Sequence, residues 1–288
     1  MERSGAPCFA PFFCAIRNGV KGAHPYLCYM SAAFIISVLL IILAGSFLYR
    51  SLRKKPGSYI VPGNIKELLS ANVAFYTALD DDGKTLFEER VSDFLSNVTI
   101  KGVDVSVEDL DRVLVAAGAI IPIFGFPDWR YNNLSEVLLY KDTFSREYDT
   151  HGSGRNVLGM VGEGALQREM LLSKPSLRSS FHNATDGHNT PIHEFAHLID
   201  KADGATDGIP EYLLSRPFIL PWIAQMHRTI AGMKTHHSDI NIYGATNDAE
   251  FFAVVTEYFF ERPTELKEHH PELYALLTEM FHGQVSSK

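Results

Sequence analysis

TPIHEFAHLID, residues 190–200, is the most informative segment of the chain. In it His193 and His197 stand four residues apart, with Glu194 directly after the first. On a helix, side chains at i and i+4 leave the same face one turn apart. Two imidazoles placed so can reach one Zn2+ at about 2.0 to 2.1 Å, while the glutamate lies beside the metal and not on it. The flanks agree with a helix: Asn189 or Thr190 suits the N-cap, Pro191 the first turn, and Asp203-Gly204 the stop. Ile192, Phe195, Ala196 and Ile199 form an apolar stripe, and His193, His197 and Asp200 keep to a different side. A motif this short arises by chance in roughly one chain in thirty of this composition, so it needs a companion elsewhere.

A catalytic zinc takes three protein ligands and keeps a fourth position open. Cys8, Cys14 and Cys28 all precede residue 30, so the rest of the chain has neither a disulfide framework nor a thiolate ligand set, a usage that fits a reducing compartment. The third ligand is therefore sought among acids and histidines. AEFFAVVTEYFFERP, residues 249–263, reads as a helix that Asn247 caps and Pro263 ends. Phe251, Val254, Val255, Tyr258 and Phe259 form its core stripe, and Glu250, Glu257 and Glu261 line another side. Glu250 is the candidate ligand. Its competing role is a capping box, since Asn247-x-x-Glu250 has the spacing for the glutamate to reach back to the cap amide.

These segments carry a resemblance. HEFAHLID at 193–200, DGATDGIP at 203–210 and EFFAVVTEYFFERPTELKEHHPELYALL at 250–277 resemble the Mlc titration factor A (MtfA) family of zinc peptidases. The likeness extends back through RVLVAAGAIIPIFGF and SEVLLYKDTF, so it covers roughly residues 65 to 280. It implies a fold related to the catalytic domain of anthrax lethal factor, one zinc ion on His193, His197 and Glu250, Glu194 as catalytic glutamate, and a tyrosine near the metal at Tyr243. Glu194 would then take the proton of the water that zinc activates, and the Tyr243 hydroxyl would help the oxyanion; a core position is the other reading of Tyr243. The sequence departs from some glutamate-ligand zinc peptidases at Val254, four residues after Glu250, where those carry an acid. Support for the histidines then comes from elsewhere, with Asp200 and Glu257 as candidates and a salt bridge as the alternative for each. His182, His188, His236, His237, His269 and His270 read as loop or surface positions.

A chain of 288 residues with 46% hydrophobic content suffices for one substantial core. Residues 1–55 carry seven Lys/Arg against Glu2, which leaves 19 bases against 33 acids and a net charge of −14 on the rest. Such an acidic globule argues against nucleic acid as a partner. Ile65–Leu79 and Thr85–Phe94 read as helices, Asp109–Phe124 as a helix in its first part, and EVLLY (136–140) and Arg168–Ser173 as strands. Tyr148–Gly164 is rich in glycine and polar residues and reads as an ordered loop or hairpin. The expected fold class is α+β, a zincin-like metallopeptidase domain of helices on a small sheet over residues 63–288. Arg168–Ser173 is the strand expected to hold an extended peptide.

Tyr26 to Tyr49 run without a charge, about the length of a helix that crosses roughly 30 Å of hydrocarbon, so one N-terminal transmembrane helix is expected over 26–49. A cleaved signal peptide is the competing reading, but the apolar run ends in Arg50, Arg53, Lys54 and Lys55 and not in a small-residue cleavage site. That cluster outweighs Arg3, Arg17 and Lys21 and places the following residues in the cytoplasm, at the cell inner membrane. Residues 1–25 form a leader with no assigned role, Met30 is an alternative start, and 50–62 form a basic juxtamembrane linker. The expected function is a membrane-anchored zinc-dependent peptidase acting on peptides or proteins, aminopeptidase-like as the resemblance implies. The alternatives are a regulatory protein that sequesters a transcriptional repressor, as the family name implies, and a membrane-tethered scaffold.

Overall fold

A computed structural model describes residues 34–45, 62–145, 157–162, 164–183, 186–236 and 238–281. The chain divides into two units, Met1–Lys54 and Lys55–Lys288. In the first, residues 34–45 form helix α1, every residue of it exposed. No helix of the described residues is long and apolar enough to cross a membrane. Residues 26–33 and 46–49 of the expected span lie outside the described residues, as do the leader 1–25 and all of the linker 50–62 except Pro62.

The second unit opens with α2 (Ile65–Asn72), α3 (Ala74–Thr77) and α4 (Asp81–Asn97). The apolar pattern of 65–79 predicts one helix, but the chain turns extended at Val73 (φ −120°, ψ 98°). Burial of Val73 repays the interruption, and Asn72 Nδ2 donates to the Leu68 carbonyl to close the end of α2. Helix α4 starts four residues before the predicted Thr85, because the Asp80 carboxylate accepts the Gly83 N–H at 2.8 Å.

Four strands follow the order β1-β2-β4-β3, with β1 Thr99–Val103, β2 Glu136–Tyr140, β3 Gly159–Val161 and β4 Glu169–Ser173. β1 and β4 each pair with β2 in parallel, and β3 runs antiparallel to β4. Helix α5 (Asp109–Ile120) makes the crossover that a parallel β1-β2 pair requires. β2 and β4 lie where the sequence predicts strands. β1 carries Lys101 and Gly102 and buries only Ile100, which is why no apolar alternation announces it. One expectation is corrected: β4 is interior and has no free edge for a peptide. Its Met170, Leu171 and Leu172 are all fully buried, the consecutive apolar run of a strand covered on both faces. Among the described residues the outer strand on that side is β3, drawn from the stretch read as a loop or hairpin.

The remaining helices are α6 (Lys174–His182), α7 (Thr190–Asp200), α8 (Arg216–Thr235), α9 (Asp248–Glu261), α10 (Pro263–His269) and α11 (Pro271–Phe281). Helix α7 lies between α5, α9 and β3. Phe195 anchors its apolar side with ring centroids 5.8 Å from Phe94 and 5.0 Å from Tyr131. The segment ends at Gly204, whose φ of 103° is left-handed backbone that a side chain would disfavour. The 20-residue α8 contains Pro221, a helix breaker that hides it in the sequence, and its Trp222 Nε1–H donates to the Gly208 carbonyl at 2.7 Å. That bond ties the 203–210 segment to the core.

Candidate metal centre

Two helices supply the centre. For α7, Asn189 is the cap: its side-chain oxygen accepts the Ile192 N–H at 3.1 Å, which settles the choice between Asn189 and Thr190. One helical turn then brings His193 and His197 to the same side, with ring centroids 4.8 Å apart. For α9, Asn247 caps through its side-chain oxygen on the Glu250 N–H at 2.9 Å. The Glu250 carboxylate does not turn back on its own helix. It faces α7, with Oε2 at 3.1 Å from His193 Nε2 and 3.4 Å from His197 Nε2.

The two Nε2 atoms are 3.2 Å apart, which closes a triangle of three ligand atoms. Three ligands about 2.0 to 2.1 Å from one ion at tetrahedral angles stand about 3.3 to 3.4 Å from each other, so these separations fit a zinc-sized cation. The donor chemistry fits too. His193 Nδ1 lies 2.6 Å from Glu257 Oε1, and a carboxylate there requires the proton on Nδ1. Nε2 is then the nitrogen whose lone pair a metal would take in place of a proton. Two imidazole nitrogens and a carboxylate oxygen converging in this way suit a divalent cation.

Burial works against an imidazolium at His193, yet Glu250 and Glu257 outweigh it and hold its pKa well above the ordinary histidine value. Glu250 answers in the opposite sense: burial alone would raise its carboxyl, and the two histidines hold it far below the usual range. Glu194 is only 5% exposed, and its pKa is raised because burial disfavours the carboxylate more than His193 and His197 favour it. It sits under the edge strand. A Cβ on Gly159 of β3 would come within 2.7 Å of Glu194 Cγ and Oε1, so only glycine lets the strand approach this closely.

Tyr243 stands on a 3-10 turn, Ile242–Ala245, started by the Asn241 side chain accepting the Tyr243 N–H at 3.0 Å. The residue is 45% exposed, which excludes the core reading, and its hydroxyl donates to Glu250 Oε1 at 3.2 Å. Glu250 thus turns one oxygen to the histidines and the other to Tyr243. Asp200 is fully buried, accepts the Gly208 N–H at 3.0 Å, and is pushed up to about 6 by that burial. Its Oδ1 and His197 Nδ1 are both buried without a hydrogen-bond partner among the described residues. Among the described residues no other histidine joins the ligand triangle: His269 and His270 both contact Asp239, and exposed His188 contacts Asn241. His237 lies outside the described residues. Sequence reasoning missed Gly159; its only signal was the glycine-rich character of 148–164.

A family model described as glucose-regulated metallo-peptidase M90 matches residues 49–282. An uncharacterized protein of Synechocystis sp. is 30% identical over 77% of this chain and 84% of its own length. The Mlc titration factor A of Edwardsiella ictaluri is 27% identical over 60% of this chain and 69% of its own length. That of Escherichia fergusonii is 31% identical over 43% of this chain and 48% of its own.

Proposed function

The chain belongs to the glucose-regulated metallo-peptidase M90 family, which includes the Mlc titration factors A, and from that membership we propose a zinc-dependent peptidase. The observation that carries this reading is the convergence of His193, His197 and Glu250 on one point beside a buried glutamate. His193 Nε2, His197 Nε2 and Glu250 Oε2 would hold the ion. Bound there, zinc supplies Lewis acidity to a carbonyl and lowers the pKa of a water from 15.7 toward about 7.

The rest is the work of side chains. Glu194, its carboxyl raised by burial, takes a proton from the attacking water and passes it to the leaving amine nitrogen. The Tyr243 hydroxyl, which donates to Glu250 Oε1 at rest, would release it and swing its one proton to the developing oxyanion. Edge strand β3 holds the peptide. Leu158 O accepts from Ser173 N and Gly162 N donates to Glu169 O, so residues 158, 160 and 162 bond toward β4. Gly159 and Val161 then present their N–H and C=O groups outward, where an extended substrate can pair beside Glu194. Main-chain pairing selects weakly among sequences, and the family resemblance favours aminopeptidase-like trimming.

The testing experiment is turnover of a peptide library by the full chain in detergent, with and without a chelator. Turnover should vanish on chelation and return with stoichiometric Zn2+; turnover indifferent to both would sink the reading. In the same assay Tyr243→Phe should cost roughly tenfold to a thousandfold in kcat with zinc content unchanged, loss of a fully engaged oxyanion donor being worth roughly 10² to 10³.

A second reading rests on the name of the relatives, Mlc titration factor A: this chain would bind a transcriptional repressor, with or without peptidase action. We further propose that the domain is anchored to the cell inner membrane through residues 26–49 and faces the cytoplasm. The charge-free run and the basic cluster Arg50, Arg53, Lys54 and Lys55 support that placement.

A further inference from the structure

Glu257 lies two turns beyond Glu250 on α9 and is 6% exposed. Its two oxygens do different work. Oε1 accepts from His193 Nδ1 at 2.6 Å, and Oε2 accepts from the Asn189 main-chain N–H at 2.5 Å. Asn189 is itself the cap of α7, and its side-chain Nδ2 donates to Glu261 Oε1 at 2.9 Å, one turn further along α9. The start of the helix that bears both histidines is therefore gripped by carboxylates of the helix that bears Glu250.

We infer that Glu257 is a positioning residue of the metal centre, a double acceptor that sets the His193 tautomer and fixes α7 against α9. This rests on the reading of His193 as a metal ligand. The chemistry asks for a carboxylate and not merely for bulk. Both partners of Glu257 are donors, His193 through Nδ1–H and Asn189 through its amide N–H. A glutamine of the same shape has one acceptor and one donor. Turned one way, its NH2 meets the Asn189 N–H. Turned the other way, it faces Nδ1–H, so the pair stays unmade unless His193 moves its proton to Nε2, the atom needed for the metal. Partners of this kind also raise ligand basicity, and their loss costs roughly 10 to 100-fold in metal affinity.

The experiment compares the full chain with E257Q and E257D, using Zn2+ alone as probe. Zinc affinity is measured by competition with a chromophoric chelator, and the His193 Nδ1 proton of the zinc-loaded protein is followed by NMR. E257Q should bind Zn2+ roughly 10 to 100-fold more weakly, and its Nδ1 proton should move upfield and exchange faster, since an amide offers Nδ1–H at best a neutral acceptor. E257D keeps a double acceptor on a stem shorter by one methylene and should fall between the two. A residue that only packed the helices would leave the Nδ1 resonance in place. Wild-type zinc affinity with an unchanged resonance in E257Q would overturn the inference. If E257Q fails to fold, the wild type decides: zinc-loaded wild-type protein without a downfield, slowly exchanging His193 Nδ1 proton overturns the inference equally. Neither readout uses peptide turnover, so a chain that binds zinc through this network yet cleaves nothing would sink the peptidase reading alone. Absence of zinc binding by the wild type would sink both.

Discussion

Glu194→Gln is expected to lower peptide hydrolysis by at least about a hundredfold while zinc content stays at the wild-type level. The substitution keeps the shape of the side chain, which matters because β3 passes so close that a Cβ on Gly159 would come within 2.7 Å of Glu194 Cγ and Oε1. The three ligand atoms are untouched, since Glu194 is not among them. What disappears is a carboxylate that can accept and return a proton, a contribution of typically 10² to 10⁴-fold. An effect on kcat with KM little changed is the signature of a group that acts in the transition state. The measurement is turnover by zinc-replete full chain, wild type against variant, with zinc determined in the same samples. Equal turnover would mean that the site is not catalytic, and the repressor-binding reading would take its place.

The centre was far more legible than the sheet that serves it, for a physical reason. His193, Glu194 and His197 are fixed to each other by the pitch of one helix, so their spacing in the chain is their spacing in space. Glu250 was reached because α9 has an apolar stripe that sets its polar edge apart, and Asn247 fixes where that helix begins. Tyr243 had no such local signature and came from family resemblance. The edge strand was hidden because β3 is three residues long and one of them is Gly159, whose role is an approach to another element and not a propensity of its own. Glu257 could be placed on the right side of α9 by periodicity. That it meets His193 and the α7 cap together is a tertiary fact, fixed by how α7 and α9 pack.

Glu250→Ala should abolish stoichiometric zinc binding and leave the metal-free fold close to wild type, an outcome that separates its two candidate roles. If Glu250 is the third ligand, removing Oε2 leaves two histidines on one helix face. The loss of affinity should then exceed the roughly 10 to 100-fold that follows loss of an outer partner. The cap of α9 should survive, because Asn247 accepts from the main-chain N–H of residue 250, which alanine retains. Zinc should accordingly raise the Tm of the wild type in proportion to log of its concentration, and raise that of the variant little. The capping-box role predicts the reverse: full zinc affinity and a stability lower by about 1 kcal/mol. Glu257 cannot stand in as the replacement ligand in that case. Its Oε1 is engaged with His193 Nδ1, on the side of the ring opposite the Nε2 that faces His197 and Glu250. A variant that kept full zinc stoichiometry and affinity would thus remove Glu250 from the centre without promoting its neighbour.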